Sequence, residues 1–154
     1  MTDYLDPDRG GINPFAITGT TDIDDSAQTE TTAFNILEIA PATDNPLQDC
    51  VILFDLAKAT TGFAAVESTV TVQFALARKI DGTNWRREAY VEAALSGTNA
   101  ANRAMRLNAG LVGVTEGLRV YALFSGDVTA DMELPYVVYG RADTEPTVTP
   151  IAAA

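Results

Sequence analysis

The chain has 154 residues, a formal net charge of −11 and no histidine. Its length is typical of one domain, and its acidity disfavours binding to nucleic acid or to anionic lipid. Histidine is the commonest general base and metal ligand, so its absence argues against most hydrolytic and metal-dependent chemistry. The one cysteine, Cys50, lies in an apolar run and excludes a disulfide framework within the chain.

The N-terminal segment, residues 1–31, is predicted to be an extended arm. Prolines, glycines and a Thr-rich polar run interrupt it, and such a composition buries too little apolar surface to fold alone. Its apolar cluster around Phe15 and Ile17 would pin the arm to a surface or add a short strand, and a disordered tail is the alternative. The candidate partner-binding residues of the arm are Phe15, Ile17, Asp22, Asp24 and Asp25.

Charge is distributed unevenly along the chain. Residues 1–50 carry ten acidic residues and one arginine, whereas residues 78–119 carry seven basic and four acidic residues. The acidic segment of one copy could therefore meet a basic surface on another copy or on a partner. The acidic run at residues 22–25 could also hold a hard cation, but a solvated run of charge is the favoured interpretation, and we expect no metal and no cofactor.

The first two strands are predicted at residues 33–40 and 50–57. The second is apolar on both sides apart from Asp55, so we expect it in the interior of a sheet.

Residues 70–95 carry the clearest pattern of the chain, because two alternating apolar and polar runs flank the sequence DGTN at residues 81–84. This pattern predicts a β-hairpin. A turn centred between residues 82 and 83 would place Val72 opposite Ala93 and Arg78 opposite Arg87.

Two arginines that face each other across a hairpin are unfavourable without acidic partners, which would come from the chain itself or from a neighbour. We therefore predict a subunit interface on this hairpin. Its candidate residues are Arg78, Arg86, Arg87, Glu88, Tyr90 and Glu92.

The C-terminal part predicts a strand at residues 104–114 and a second hairpin formed by residues 118–124 and 132–139. Pro135 lacks an amide donor, so its strand is expected at a sheet edge or at a bulge. About seven strands in total predict an all-β fold, a single β-sandwich or jelly-roll-like domain over residues 32–141. Residues 142–154 are predicted to be a short tail.

Motifs that carry chemistry are missing from the sequence. None of the four serines lies in a G-x-S-x-G elbow, and no Gly-rich phosphate-binding loop is present. We expect no catalytic residues and no enzymatic activity. Trp85 directly follows the hairpin turn and could stack on a sugar ring, although packing at the end of the hairpin is the favoured interpretation.

The overall organisation is a small, acidic β-domain, rich in Ala, Thr and Gly, with a polar arm and a Thr/Pro/Ala-rich tail. This organisation resembles that of the decoration, or cement, proteins on the outside of tailed-phage heads. The resemblance implies a compact β-domain that clusters around symmetry axes. It also implies that the arms lie over neighbouring capsid subunits and hold the shell against internal pressure.

If the resemblance holds, the partners are the major capsid protein and further copies of the chain, with a trimer as one arrangement. The location is then the capsid surface of the virion, after synthesis in the host cytoplasm, and the N-terminus has no signal-peptide pattern. No nucleic acid, membrane or small-molecule substrate is expected as a partner. The alternative function is a carbohydrate- or cell-surface-binding β-sandwich module of a fibre or appendage.

Overall fold

Two antiparallel β-sheets build the computed structural model, which describes residues 13–23, 34–56, 71–79, 81–87, 95–96, 104–113, 116–124 and 132–151. No α-helix occurs in these ranges, so the predicted all-β sandwich class is confirmed. The strands are β1 (Pro14–Ile23), β2 (Phe34–Ala40), β3 (Leu47–Asp55), β4 (Thr71–Lys79), β5 (Trp85–Arg87), β6 (Leu95–Ser96), β7 (Ala104–Asn108), β8 (Leu118–Phe124), β9 (Met132–Ala142) and β10 (Thr147–Pro150).

The four-stranded sheet has the order β1-β9-β3-β7, and the six-stranded sheet has the order β10-β2-β8-β4-β5, with β6 also paired to β4. The second predicted strand corresponds to β3, which lies between β9 and β7. Its expected place in the interior of a sheet is therefore confirmed.

The core lies between the two sheets because each strand turns alternate residues inward. In β7, for example, Met105 and Leu107 are buried while the other three residues are exposed. The Phe54 ring of the four-stranded sheet stacks on the Phe74 ring of the six-stranded sheet, with 5.2 Å between centroids. Burial of one such side chain contributes about 1.5–3 kcal/mol. The largest fully buried side chains are Phe54, Phe74, Ile36, Leu37, Ile39, Leu47, Ile52, Leu56 and Leu118.

The predicted second hairpin is wrong, although β8 has the predicted bounds. β8 lies between β2 and β4 in the six-stranded sheet, whereas β9 lies between β1 and β3 in the four-stranded sheet. Both strands direct an apolar face toward the same core, Val120 from one side and Val138 from the other. Two successive strands that each have one apolar face can bury those faces in the same core whether they lie in one sheet or in two facing sheets.

Pro135 was expected on an edge strand or at a bulge, yet β9 is an interior strand. The amide of Ala142 donates to the carbonyl oxygen of Asn13, so even-numbered residues of β9 hydrogen-bond to β1 and odd-numbered ones face β3. The ladder between β3 and β9 ends at the pair Phe54–Tyr136, and Tyr136 is the residue that follows Pro135 in the chain. Pro135 is therefore not part of this ladder. The proline therefore stands where no ladder donor is required.

The predicted register of the central hairpin is also wrong. Arg78 lies opposite Arg86, not Arg87, and Val72 lies opposite Leu95, not Ala93. The turn is centred on Gly82, which adopts φ +76°, a conformation that glycine tolerates without strain.

The Asp81 carboxylate orders this turn. It accepts hydrogen bonds from the amides of Thr83 (3.0 Å) and Asn84 (2.7 Å) and from the Asn84 side chain (2.7 Å). The hydrogen bonds from Asn84, followed by that from Thr83, lower the pKa of Asp81 to about 2. A turn with one central residue shifts the register by one relative to a two-residue turn, which explains why Arg78 pairs with Arg86. The pairing of β6 with β4 is shifted by three residues relative to that of β5, so the turn accounts for the β5 pairs only.

Parts of the predicted arm and tail belong to the sandwich. β1 pairs with β9 over ten consecutive residues, and β10 pairs with β2 over four. Residues 14–23 of the predicted arm and residues 147–150 of the predicted tail are therefore strands of the sandwich, which corrects the predicted domain boundaries. For the arm, a short added strand was one of the predicted possibilities. The reason is that Phe15 and Ile17 alternate with residues that suit an outer sheet face. Residues 1–12, 24–31 and 152–154 lie outside the described ranges.

A glycine at a close backbone approach gives a direct test of this packing. A methyl group on Gly140 of β9 would overlap the carbonyl oxygen of Asp49 and lie 2.6 Å from its carbonyl carbon. We expect Gly140→Ala to lower the free energy of unfolding by about 3 kcal/mol or more, since backbone cannot move aside as a side chain can. Gly113→Ala is the control, because its nearest neighbour would lie at 3.5 Å. Denaturant unfolding that finds the two variants equally stable would contradict the packing.

Candidate interaction surfaces

Arg78, a predicted interface residue, instead joins the two sheets of its own chain. Its guanidinium donates to the carbonyl oxygens of Ala109 and Leu111, the latter at 3.0 Å, and lies 3.7 Å from the Glu116 carboxylate. Ala109 and Leu111 directly follow β7 of the four-stranded sheet, whereas Arg78 belongs to β4 of the six-stranded sheet. The sequence indicated that Arg78 needs an acidic partner. Glu116 of the same chain is that partner, and two backbone carbonyl groups also accept hydrogen bonds from Arg78.

The opposite side of the sandwich is joined by Thr21. This side chain is buried, and its hydroxyl donates to the carbonyl oxygen of Ile36 at 2.6 Å. Thr21 lies in β1 and Ile36 in β2, so the bond links the outermost strand of one sheet to the other sheet. The Ile36 carbonyl oxygen also accepts from the amide of Ile151, which follows β10, at 3.0 Å, so it points toward the β10 side of β2 and away from β8.

The outer face of the six-stranded sheet presents aromatic rings beside cationic side chains. Residues of β4, β5 and β8 alternate between the core and this outer face, and the register places Arg87 and Arg119 on either side of Ala77. Ala77 is fully buried although it lies on the outer face, so the larger side chains around it are packed. We call this surface the Trp85 face; it consists of Glu38, Lys79, Trp85, Arg87, Arg119 and Tyr121.

Contacts within the Trp85 face are ordered around Trp85 and Arg119. The Arg119 guanidinium carbon lies 4.0 Å from the Trp85 ring centroid, and its Nε donates to Glu38 at 3.2 Å. The Lys79 ammonium group lies 5.9 Å from the same ring. A cation over an aromatic ring contributes about 0.5–1 kcal/mol at an exposed site. One ring face of Trp85 is consequently occupied within the chain.

A second cation–ring contact extends the surface. The Arg87 guanidinium carbon lies 5.7 Å from the centroid of Tyr121, and the Arg87 side chain is exposed. The Trp85 face thus combines three cationic side chains with one acidic one in a chain whose net charge is −11.

Apart from Arg78, the predicted site residues fall into three groups. Phe15 is buried in the core and Ile17 packs against it, so their assignment to a partner surface is corrected. Asp22 is exposed on β1, and Arg86 and Arg87 are exposed on β5. Asp24, Asp25, Glu88, Tyr90 and Glu92 lie outside the described ranges.

Four further members of the Trp85 face were not among the predicted site residues, namely Glu38, Lys79, Arg119 and Tyr121. The signal that could have found Arg119 and Tyr121 is the alternation in β8, where they separate the buried Leu118, Val120 and Ala122. Their position beside Trp85 requires the sheet order β2-β8-β4-β5, which alternation does not determine.

Reactive and metal-binding groups are sparse in the ranges that the structure describes. No cluster of three or more Asp, Glu, Cys or His side chains is placed to hold a metal ion there. Cys50 is fully buried, and burial raises the pKa of its thiol from 9.0 to about 12, with a smaller opposing effect from the charge of Arg78. Within the same ranges no helix is long and apolar enough to span a membrane.

Comparison with known proteins finds little. No family model matches the chain, and no curated protein matches it. Among solved structures, it is similar to a chain in the structure of infectious bursal disease virus Gt strain, with 10% identity and a TM-score of 0.33 over 90% of this chain. A chain in the structure of the Gx strain gives 10% identity and a TM-score of 0.36 over 90% of this chain.

The chain spans only 38% and 39% of the length of those two chains. Similarity at these TM-scores does not imply a shared function.

The role of Arg78 can be separated from that of its opposite neighbour. We expect Arg78→Ala to lower the free energy of unfolding by about 1–3 kcal/mol, because two carbonyl groups lose their donor. Arg86→Ala is the matched control: it removes an exposed arginine from the directly opposite position and should change stability by less than about 0.5 kcal/mol. Equal losses in chemical denaturation would contradict the role assigned to Arg78.

Cys50 makes a prediction about alkaline pH. The folded thiol keeps its proton to about pH 12, whereas the unfolded thiol loses it near 9.0, so its stabilising effect is complete below pH 9.0 and is lost as the pH rises toward 12. Over that window the unfolding free energy of the wild type should fall more steeply than that of Cys50→Ala, by about 1.4 kcal/mol per pH unit. Parallel slopes for the two proteins would show that the thiol is not protected by burial.

Proposed function

We propose that the chain is a structural virion protein, a decoration protein that binds the outside of a phage capsid and stabilises it. Its partners are the major capsid protein and further copies of the chain, and it has no catalytic role. The proposal rests on the organisation of the sequence and on the surface that the sandwich presents to solvent.

The Trp85 face is the observation that carries the proposal. Trp, Tyr and Arg are the residue types that dominate the binding energy of protein interfaces. Here Trp85, Tyr121 and Arg119 lie on one sheet face; Arg119 lies over the Trp85 ring, and Arg87 lies over the Tyr121 ring. A surface that is ordered before it binds loses less conformational entropy on association. This arrangement suits a contact surface for another protein.

The charge of the Trp85 face determines which partner surface fits it. Lys79, Arg87 and Arg119 outnumber Glu38, so an acidic region of the capsid protein complements the face. This differs from the sequence-level idea that the acidic arm seeks a basic capsid surface. Asp24 and Asp25, on which that idea depends in part, lie outside the described ranges, and their role stays a prediction.

The carbohydrate-binding alternative depends on an aromatic ring that is open to solvent. Arg119 occupies one face of Trp85 at 4.0 Å, and a methyl group on Gly117 would lie 2.9 Å from the ring. A sugar would have to displace the arginine or use the other face. No contact in the described ranges favours this alternative over protein binding.

The proposal is tested with heads of the encoding phage that were assembled without this chain. Purified protein is added over a range of concentrations, and the amount that sediments with the heads is measured. We expect binding to saturate at a fixed number of copies per head and to raise the temperature at which the heads break. Binding without saturation, or absence of the chain from purified virions, would contradict a decoration role.

A pair of variants tests whether the Trp85 face makes this contact. Arg87→Glu reverses a charge on the face and should weaken head binding by about tenfold or more. Arg106→Glu makes the same charge change at an exposed position of β7 on the other sheet and should bind as the wild type does. Equal weakening by both variants would mean that net charge, and not this face, governs the interaction.

A further inference from the structure

The edge strands of the two sheets differ greatly in length. On three of the four edges the described strands are short: β7 has five residues, β10 has four, and β5 and β6 have three and two. β1 forms the remaining edge with ten residues. Its register with β9 runs from Pro14 to Ile23 without a shift, so no bulge interrupts it. A long regular edge is a template for a further strand.

The hydrogen bond from the Ala142 amide to the Asn13 carbonyl shows which backbone groups of β1 are used. In an antiparallel ladder, hydrogen-bonded and non-bonded pairs alternate, so odd-numbered residues of β1 bond to β9 and even-numbered ones point away. The amides and carbonyls of Ala16, Thr18, Thr20 and Asp22 therefore line the outer edge. No hydrogen bond within the described part of the chain uses them.

Devices that usually protect an edge strand are absent from β1 itself. It contains no lysine, and its one proline, Pro14, is the first residue of the strand. The side chains of Ala16, Thr18 and Thr20 are small and exposed, and threonine favours the extended conformation. The one charged residue of the strand, Asp22, lies near its end.

The sequence of β1 is complementary to itself in one antiparallel register. A two-fold axis at Thr18 places Thr18 opposite Thr18 and Ala16 opposite Thr20, with every amide and carbonyl of these residues in a hydrogen-bonded pair. Asp22 then lies opposite Pro14, whose carbonyl accepts the Asp22 amide. The two Asp22 carboxylates stand at opposite ends of the ladder, whereas an axis at Asp22 itself would place them face to face.

We propose that two copies of the chain associate through antiparallel pairing of their β1 strands about Thr18. The contact joins two four-stranded sheets into one continuous sheet of eight strands. It uses the edge of the four-stranded sheet and leaves the Trp85 face, on the other sheet, open. It does not depend on capsid binding, and it names the strand by which copies of the chain meet. Each copy carries a net charge of −11, so the contact strengthens as salt screens the repulsion.

Sedimentation velocity of the full-length chain over a range of concentrations tests the proposal, at physiological and at high salt. We expect a monomer–dimer equilibrium that shifts toward the dimer at high salt. Thr18→Lys places two lysines opposite each other at the axis and should weaken dimerisation by about tenfold or more. Ala104→Lys makes the same charge change at an exposed residue of the β7 edge and should dimerise as the wild type does.

A backbone variant gives an independent measurement. Thr18→Pro removes an amide that points away from β9, so it should spare the β1–β9 ladder and abolish the dimer. A wild type that stays monomeric at every concentration and salt, a trimer, or a Thr18→Lys variant that dimerises normally would overturn the proposal. Equal weakening by Thr18→Lys and Ala104→Lys would also overturn it. These experiments contain no capsid, so their failure is distinguishable from a failure of the proposed decoration role.

Discussion

The ten-residue ladder between β1 and β9 is the constraint on which most of the structure depends. It converts a segment with an arm-like composition into an edge strand and buries Phe15 in the core. It also carries Thr21 to the carbonyl oxygen of Ile36, and this bond joins the two sheets on one side. On the other side Arg78 reaches the segment that follows β7. Two polar links thus bracket an apolar core, and each consists of groups that would be costly to bury unpaired.

The same geometry separates the two candidate interaction surfaces. Alternation along β4, β5 and β8 directs apolar residues to the core and leaves Trp85, Arg119 and Tyr121 outside. Pairing along β1 leaves a line of amides and carbonyls on the far edge of the other sheet. One candidate surface presents side chains and the other presents backbone groups, and the two lie on different sheets.

Sequence reasoning could predict the strands whose apolar and polar residues alternate cleanly, and β8 has the predicted bounds. It failed for β1 because Thr-rich alternation around Gly19 is weak in apolar content and because glycine and proline suggested a break. It failed for the pairs between β4 and β5 because the Asp81 turn centres on one residue, Gly82. It failed for the pairs between β4 and β6 because their register is shifted by a further three residues. It failed for the Trp85 face because the neighbours of β8 are set by the topology of the whole sheet. Arg78 was recognised as needing an acid, but only the fold reveals that Glu116 supplies it.

Residue-resolved amide hydrogen exchange in dilute protein tests most directly whether residues 14–23 belong to the fold. The pairing with β9 predicts slow exchange for the amides of Phe15, Ile17, Gly19 and Thr21, and fast exchange for those of Ala16, Thr18, Thr20 and Asp22. A free arm would show fast exchange at all of these amides. That uniform result would contradict the role of β1 on which the sandwich and its outer edge depend.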